Sequence, residues 1–121
     1  TNNIKVIRLS EIYLIAAEAE LNRDGGSAST AAGYLNDLRR NRIAGYADVA
    51  TVSEQDILDE RRKELFAEGQ IAFDYWRMGR TIKLENGTEI KPTDNRTVLP
   101  LPKTEIDLSG GALIQNPGYG N

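Results

Sequence analysis

The sequence has no cysteine. That excludes disulfides, thiolate ligation of zinc or an iron-sulfur cluster, and a thiol nucleophile for this chain. Histidine is also absent, which removes the commonest general base near neutral pH and the commonest transition-metal ligand. Carboxylates, lysine and tyrosine are left for any proton chemistry. No apolar run approaches the ~20 residues needed to span a bilayer. The opening Thr1-Asn2-Asn3 carries neither a signal-peptide core nor a lipidation cysteine, so an export signal or anchor is expected on a part outside this chain. A basic excess is missing too: 15 Lys and Arg stand against 18 Asp and Glu, a net charge of −3. Nucleic acid is therefore not an expected partner. What is present, 121 residues of which 40% are hydrophobic, suffices for one domain with a core.

The first helix is expected from Glu11 to about Asn22, with Ser10 as N-cap and the breaker cluster Asp24-Gly25-Gly26-Ser27 beyond it. Ile12, Tyr13, Leu14, Ala16, Ala17, Ala19 and Leu21 nearly encircle it, as in a helix packed between neighbours. A second helix, from about Thr30 to Ile43, carries a stripe of Ala31, Tyr34, Leu35 and Leu38, and Gly45 supplies a stop. Together they predict an antiparallel helical hairpin, the unit of tetratricopeptide-type arrays. Ser53 and Asp56 form a capping-box pattern opening a third helix from Glu54 to about Glu68. Arg61 projects into its apolar side, and charges placed there require partners. A fourth helical segment, Gln70 to about Met78, gathers Phe73, Tyr75, Trp76 and Met78.

Beyond Arg80 the helical period ends. Asn86-Gly87, flanked by Ile82 to Glu85 and Thr88 to Lys91, predicts a β-ribbon with a two-residue turn. The rest, with one turn around Thr104 to Asp107, is expected to be ordered irregular chain. The fold class is thus mainly α: helical hairpins of tetratricopeptide type, a small β-hairpin and a long irregular C-terminal tail.

Three blocks then resemble the SusD/RagB family. Arg8-Leu9-Ser10-Glu11-Ile12-Tyr13-Leu14-Ile15-Ala16-Ala17-Glu18-Ala19 resembles the family's R-L-x-E-x-Y-L-x-x-A-E-A helix, followed by Leu35-Asn36-Asp37-Leu38-Arg39. Glu60-Arg61-Arg62-Lys63-Glu64-Leu65-Phe66-Ala67-Glu68-Gly69-Gln70, continuing to Phe73-Asp74, resembles its E-R-R-x-E-L-x-x-E-G-x-x-x-F-D signature. Leu99-Pro100-Leu101-Pro102 through Asp107 and Gln115-Asn116-Pro117-Gly118-Tyr119 are similar to its terminus. Departures are Ala72, where an aromatic often stands, and Tyr75-Trp76-Arg77. The resemblance implies that residues 1–121 form a single domain, the C-terminal region of a longer protein. It implies an outer-membrane lipoprotein of the Bacteroidetes cell surface that captures oligosaccharide or polysaccharide for a SusC-type, TonB-dependent transporter. Capture without bond cleavage needs no cofactor, and membrane association would come only through a lipid anchor absent from this chain. The resemblance transfers no individual sugar-binding residue.

From the residues alone, Tyr46, Tyr75 and Trp76 are the candidate rings for stacking on a pyranose, with core packing as the competing role. Glu60, Glu64 and Glu68 beside Arg61 and Arg62 offer the carboxylates of a glycosidase, but acid and base on adjacent turns of one helix face each other poorly. An ion-pair network of Arg61, Glu64 and Glu68 tying the third helix to its neighbours is expected instead. Glu20, Asn22 and Asp24 match the early positions of a calcium loop, yet Ala31 stands where the closing acid belongs, so no metal site is expected. The Asn116-Pro117-Gly118 turn and Tyr119 either anchor the chain end or meet a partner. The alternative to glycan uptake is a free-standing helical module binding protein or peptide in its groove. An enzyme is not expected.

Overall fold

The structure is a computed structural model that describes residues 7–120. In chain order it contains α1 (Leu9–Asn22), α2 (Ala28–Arg40), α3 (Glu54–Glu64), α4 (Ile71–Arg77), β1 (Ile82–Lys83), β2 (Glu89–Ile90), a 3-10 turn (Asn95–Thr97) and α5 (Lys103–Leu108). The chain divides between Ile71 and Ala72 into two compact units.

In the first unit α1 and α2 form the expected helical hairpin, and α3 packs on α1. Leu14, Ala17, Ala31, Ala32, Leu35, Leu38, Val52 and Ile57 make the core, with Tyr13 and Leu21 at its margin. Each fully buried Leu or Ile contributes about 1.5–3 kcal/mol, so three helices this short depend on that shared core more than on helix propensity. The hairpin corner is tight. A Cβ on Gly26 would lie 1.9 Å from the Glu20 carbonyl oxygen, so only glycine fits there. Ser27 then caps α2, its side chain accepting from the Thr30 N–H.

Helix ends differ from expectation for local reasons. Ser10 is not a cap but a buried first-turn residue, and Arg8 holds the N-cap position of α1. α2 begins at Ala28 because Ser27 caps it, and it ends at Arg40 because Asn41 and Arg42 turn back onto the Leu38 and Arg39 carbonyls. α3 opens with the capping box of Ser53 and Asp56 but ends four residues early. Leu65 leaves helical geometry at φ −105°, ψ 26°, and Ala67 is left-handed at φ 62°. The expectation of apolar contact all round α1 holds on one side only: Leu9, Ile12 and Ile15 are 71%, 44% and 47% exposed.

In the second unit α4 is followed by an antiparallel ribbon pairing Ile82 with Ile90 and Lys83 with Glu89. Its loop has three residues rather than two. The Leu84 N–H donates to the Thr88 carbonyl at 2.8 Å and the Gly87 N–H to the Leu84 carbonyl at 2.9 Å. Gly87 alone of Asn86 and Gly87 has positive φ, at 82°, whereas a two-residue turn needs it at both positions or at the first. Among the described residues from 72 onward no hydrophobic side chain is fully buried. The tail is held instead by side chains bonded to backbone. Gln115 brackets Leu101, Asn116 donates to the Leu99 carbonyl at 2.7 Å, and the Tyr119 hydroxyl donates to the Val98 carbonyl at 2.8 Å.

Candidate functional site

Glu60 and Glu64 of α3, and Glu68 in the turn after it, each meet an arginine from another part of the first unit. Glu60, almost fully buried, accepts from Arg39 of α2 at 2.9 Å, with the Lys63 ammonium 3.5 Å away. Glu64 accepts both Nε and Nη2 of Arg42, the shortest contact being 2.6 Å. The Arg8 guanidinium donates to the Glu64 main-chain carbonyl at 3.1 Å and pairs with the Glu68 carboxylate at 2.6 Å. One arginine at the start of α1 thus satisfies an orphan carbonyl at the end of α3 and complements that helix terminus electrostatically. Arg61 is 4% exposed, on the buried side of α3.

These positions bear on what the carboxylates can do. Hydrogen bonding by Arg42 holds the Glu64 carboxyl below the ordinary carboxylate range, with smaller assistance from Ser10 and from the charges of Arg42 and Arg8. A glycosidic general acid needs the opposite shift. The calcium reading of the α1 corner meets a different obstacle, the engagement of its first carboxylate by other partners. Both oxygens of Glu20 are engaged, Oε2 by Arg23 at 2.7 Å and Oε1 by Arg23 and the Ser27 N–H, and the Arg23 hydrogen bond leads in lowering its pKa. Among the described residues no group of three or more His, Cys, Asp or Glu converges as a metal ion requires.

The candidate rings fall in both units. Tyr46 lies in the loop after α2, where its hydroxyl donates to Asn36 Oδ1 at 2.8 Å and the Arg39 guanidinium covers its ring at 5.9 Å. Asn36, itself buried, also exchanges two hydrogen bonds with the main chain of Val49. Tyr46 is therefore built into a polar clamp that fixes the loop. Tyr75 and Trp76 are consecutive on α4, both half-buried.

Phe73, which the sequence placed beside Trp76 without a site role, is 65% exposed and meets Trp76 edge-on at 5.9 Å. The i, i+3 spacing of these two rings on a helix was the available signal. Below them Asp74 accepts from Arg77 at 2.8 Å. A Phe–Trp corner flanked by charge can cover the apolar face of a sugar and address its hydroxyls. The residues that sequence reasoning missed are Arg8, Arg39 and Arg42 as partners of the acidic cluster, and Gln115 as the clamp of the tail.

The SusD family profile matches residues 1–119. The starch-binding protein SusD of Bacteroides thetaiotaomicron is 33% identical over 127 residues, covering 97% of this chain and 22% of that protein. Among solved structures, a SusD superfamily protein from Bacteroides thetaiotaomicron VPI-5482 is 43% identical and superimposes with a TM-score of 0.81 over 97% of this chain and 28% of that one. Another, from Bacteroides vulgatus ATCC 8482, gives 38% identity and a TM-score of 0.80 over 96% of this chain and 28% of that one. The chain spans 22% to 28% of the length of these relatives.

Proposed function

This chain belongs to the SusD family, and from that premise we propose that it is the C-terminal region of a longer glycan-binding protein of the cell surface. In this reading the whole protein is lipid-anchored in the outer membrane, captures oligosaccharide and passes it to a SusC-type, TonB-dependent transporter. Its action is binding and delivery without bond cleavage. The observation that carries the reading is the likeness to a starch-binding protein over 97% of this chain. The chemistry of the acidic cluster supports it, because Glu60, Glu64 and Glu68 each neutralise a guanidinium and serve to position helices.

For sugar contact, Tyr75 and Trp76 beside the exposed Phe73 are the stronger candidates, since the hydroxyl and ring of Tyr46 already have partners. Arg61, Glu64 and Glu68 are assigned to architecture.

Calorimetry of the full-length protein against a panel of soluble glycans, beginning with starch oligosaccharides, tests the function. Saturable heat with no release of reducing ends is expected, and Trp76→Ala should weaken binding at least several-fold if that corner is the site. Absence of binding to every glycan, or release of new reducing ends, would overturn the reading. Co-purification from outer membranes with a TonB-dependent transporter is the expected result for the delivery step; recovery of the protein without one would count against it.

A further inference from the structure

The hairpin loop places two groups together that react with each other. Asn86 is the one asparagine in the sequence followed by glycine, and both residues are exposed at the tip of the ribbon. We propose that Asn86 is a site of spontaneous covalent modification, converting through a cyclic imide with Gly87 into aspartate and isoaspartate in the folded chain.

The attack requires the Gly87 backbone nitrogen to reach Asn86 Cγ. In other sequences the Cβ of the following residue crowds that nitrogen; glycine has none, and apart from its two chain neighbours no residue lies within 4 Å of where a Cβ on Gly87 would stand. The Thr88 N–H donates to Asn86 Oδ1 at 2.9 Å. That bond holds the side-chain amide toward the C-terminal side, where the nucleophile sits, and withdraws electron density from Cγ.

One contact restrains the reaction, the 2.9 Å hydrogen bond from the Gly87 N–H to the Leu84 carbonyl. It is secured by a ladder of only Ile82 with Ile90 and Lys83 with Glu89, extended by the Leu84 to Thr88 bond. A two-stranded ribbon of this length is marginal in water, so fraying releases the nucleophile repeatedly.

The atoms balance without any oxidant or cofactor. Gly87 N gives its proton to solvent and bonds to Asn86 Cγ. The Cγ–Nδ2 bond breaks, and Nδ2 leaves as ammonia after taking a proton from water. A water molecule then opens the five-membered imide. Opening at the side-chain carbonyl gives aspartate. Opening at the main-chain carbonyl gives isoaspartate, with the backbone now running through the former side chain. The added methylene no longer matches a three-residue loop to the Leu84 and Thr88 pair, and the new carboxylate stands near Glu85 and Glu89 in sequence.

The test holds the full chain at body temperature in mildly alkaline heavy-oxygen water, natively and in urea, followed by peptide mapping with fragmentation that separates isoaspartate from aspartate. Expected is loss of the amide at position 86 several-fold faster than at Asn22, Asn36, Asn41 or Asn95. Isoaspartate should exceed aspartate, each product should carry one heavy oxygen, and the native rate should fall below the rate in urea. Asn86→Gln, with an unchanged circular dichroism spectrum, should remove the change because its ring would be six-membered. Loss at position 86 no faster than at the other asparagines, or aspartate without isoaspartate, would overturn the proposal.

Discussion

Gln115 grips the main chain of Leu101 at both polar groups, its Oε1 accepting from the Leu101 N–H at 2.8 Å and its Nε2 donating to the Leu101 carbonyl at 3.0 Å. The same Oε1 accepts from the Asn116 N–H at 2.9 Å. One side chain therefore replaces a missing β-strand partner. Gln115→Ala is expected to destabilise the second unit by about 1–3 kcal/mol through unsatisfied backbone groups. Gln115→Glu should not rescue it, because a carboxylate faces the Leu101 carbonyl with no donor. Hydrogen exchange at the Leu101 amide reads the effect directly; unchanged protection in Gln115→Ala would refute the clamp.

Gly118 lies behind that clamp at φ 89°. A Cβ there would come within 2.7 Å of the Asn95 Cβ. Gly118→Ala combines a left-handed alanine with a clash, an expected loss of about 1–3 kcal/mol. Asn95→Ala leaves the Asn95 Cβ in place, so pairing the two changes should recover little. Denaturant midpoints of the single and double variants decide this.

The Arg39 and Glu60 side chains are 14% and 6% exposed and 2.9 Å apart. Glu60→Ala strands a guanidinium that has little access to water, at an expected cost of about 3 kcal/mol. The double variant with Arg39→Met should recover part of that loss, because it removes the second charge along with the first. A cycle of urea melts measures the coupling, and additive losses would show that the pair contributes nothing as a pair.

These relationships mark where sequence reasoning stopped. The capping box of Ser53 and Asp56 was legible because its two residues lie one turn apart, and the α1–α2 hairpin because apolar period and breakers agree. Arg39 with Glu60 and Gln115 with Leu101 span 21 and 14 residues, and a side-chain bond across such a gap leaves no period to read. The ribbon was legible in place but not in loop type, since Asn-Gly fits both a two-residue turn and a three-residue loop ending on a left-handed glycine. The exposure of Phe73 was not legible, because composition records hydrophobicity and not which side of α4 is covered.

Two opposite exchanges should both stabilise. Gly33 lies inside α2 with nothing within 4 Å of its would-be Cβ, so Gly33→Ala should add about 0.5–1 kcal/mol. Ala67 is left-handed at φ 62°, and Ala67→Gly should relieve about 1 kcal/mol of strain. Thermal melts should show higher midpoints for each. A fall in either would mean that the residue serves a contact outside this chain.

Acid should weaken the protein with a defined sign. Glu64 lies below its ordinary 4.5, chiefly through Arg42. Asp94 is lowered from 3.8 to about 2, first by the Arg96 side chain and then by its backbone N–H. The unfolded chain keeps ordinary values, so on acidification it takes up these protons first. The stabilisation is fully present above the ordinary values and is lost as pH falls through the lowered ones. Urea midpoints should therefore fall from about pH 4.5 downward, and Asp94→Asn should flatten the part of the decline between 3.8 and about 2. An unchanged acid limb in Asp94→Asn would remove Asp94 from the account.

Leu9, Ile12 and Ile15 along the outer side of α1 also govern how this polypeptide behaves in the tube. Sulfate and phosphate strengthen the burial of oily surface, so precipitating salts should drive copies to cluster through that stripe. Replacing Ile12 and Ile15, both outside the core cluster, by glutamate should make a better-behaved reagent for spectroscopy at high concentration.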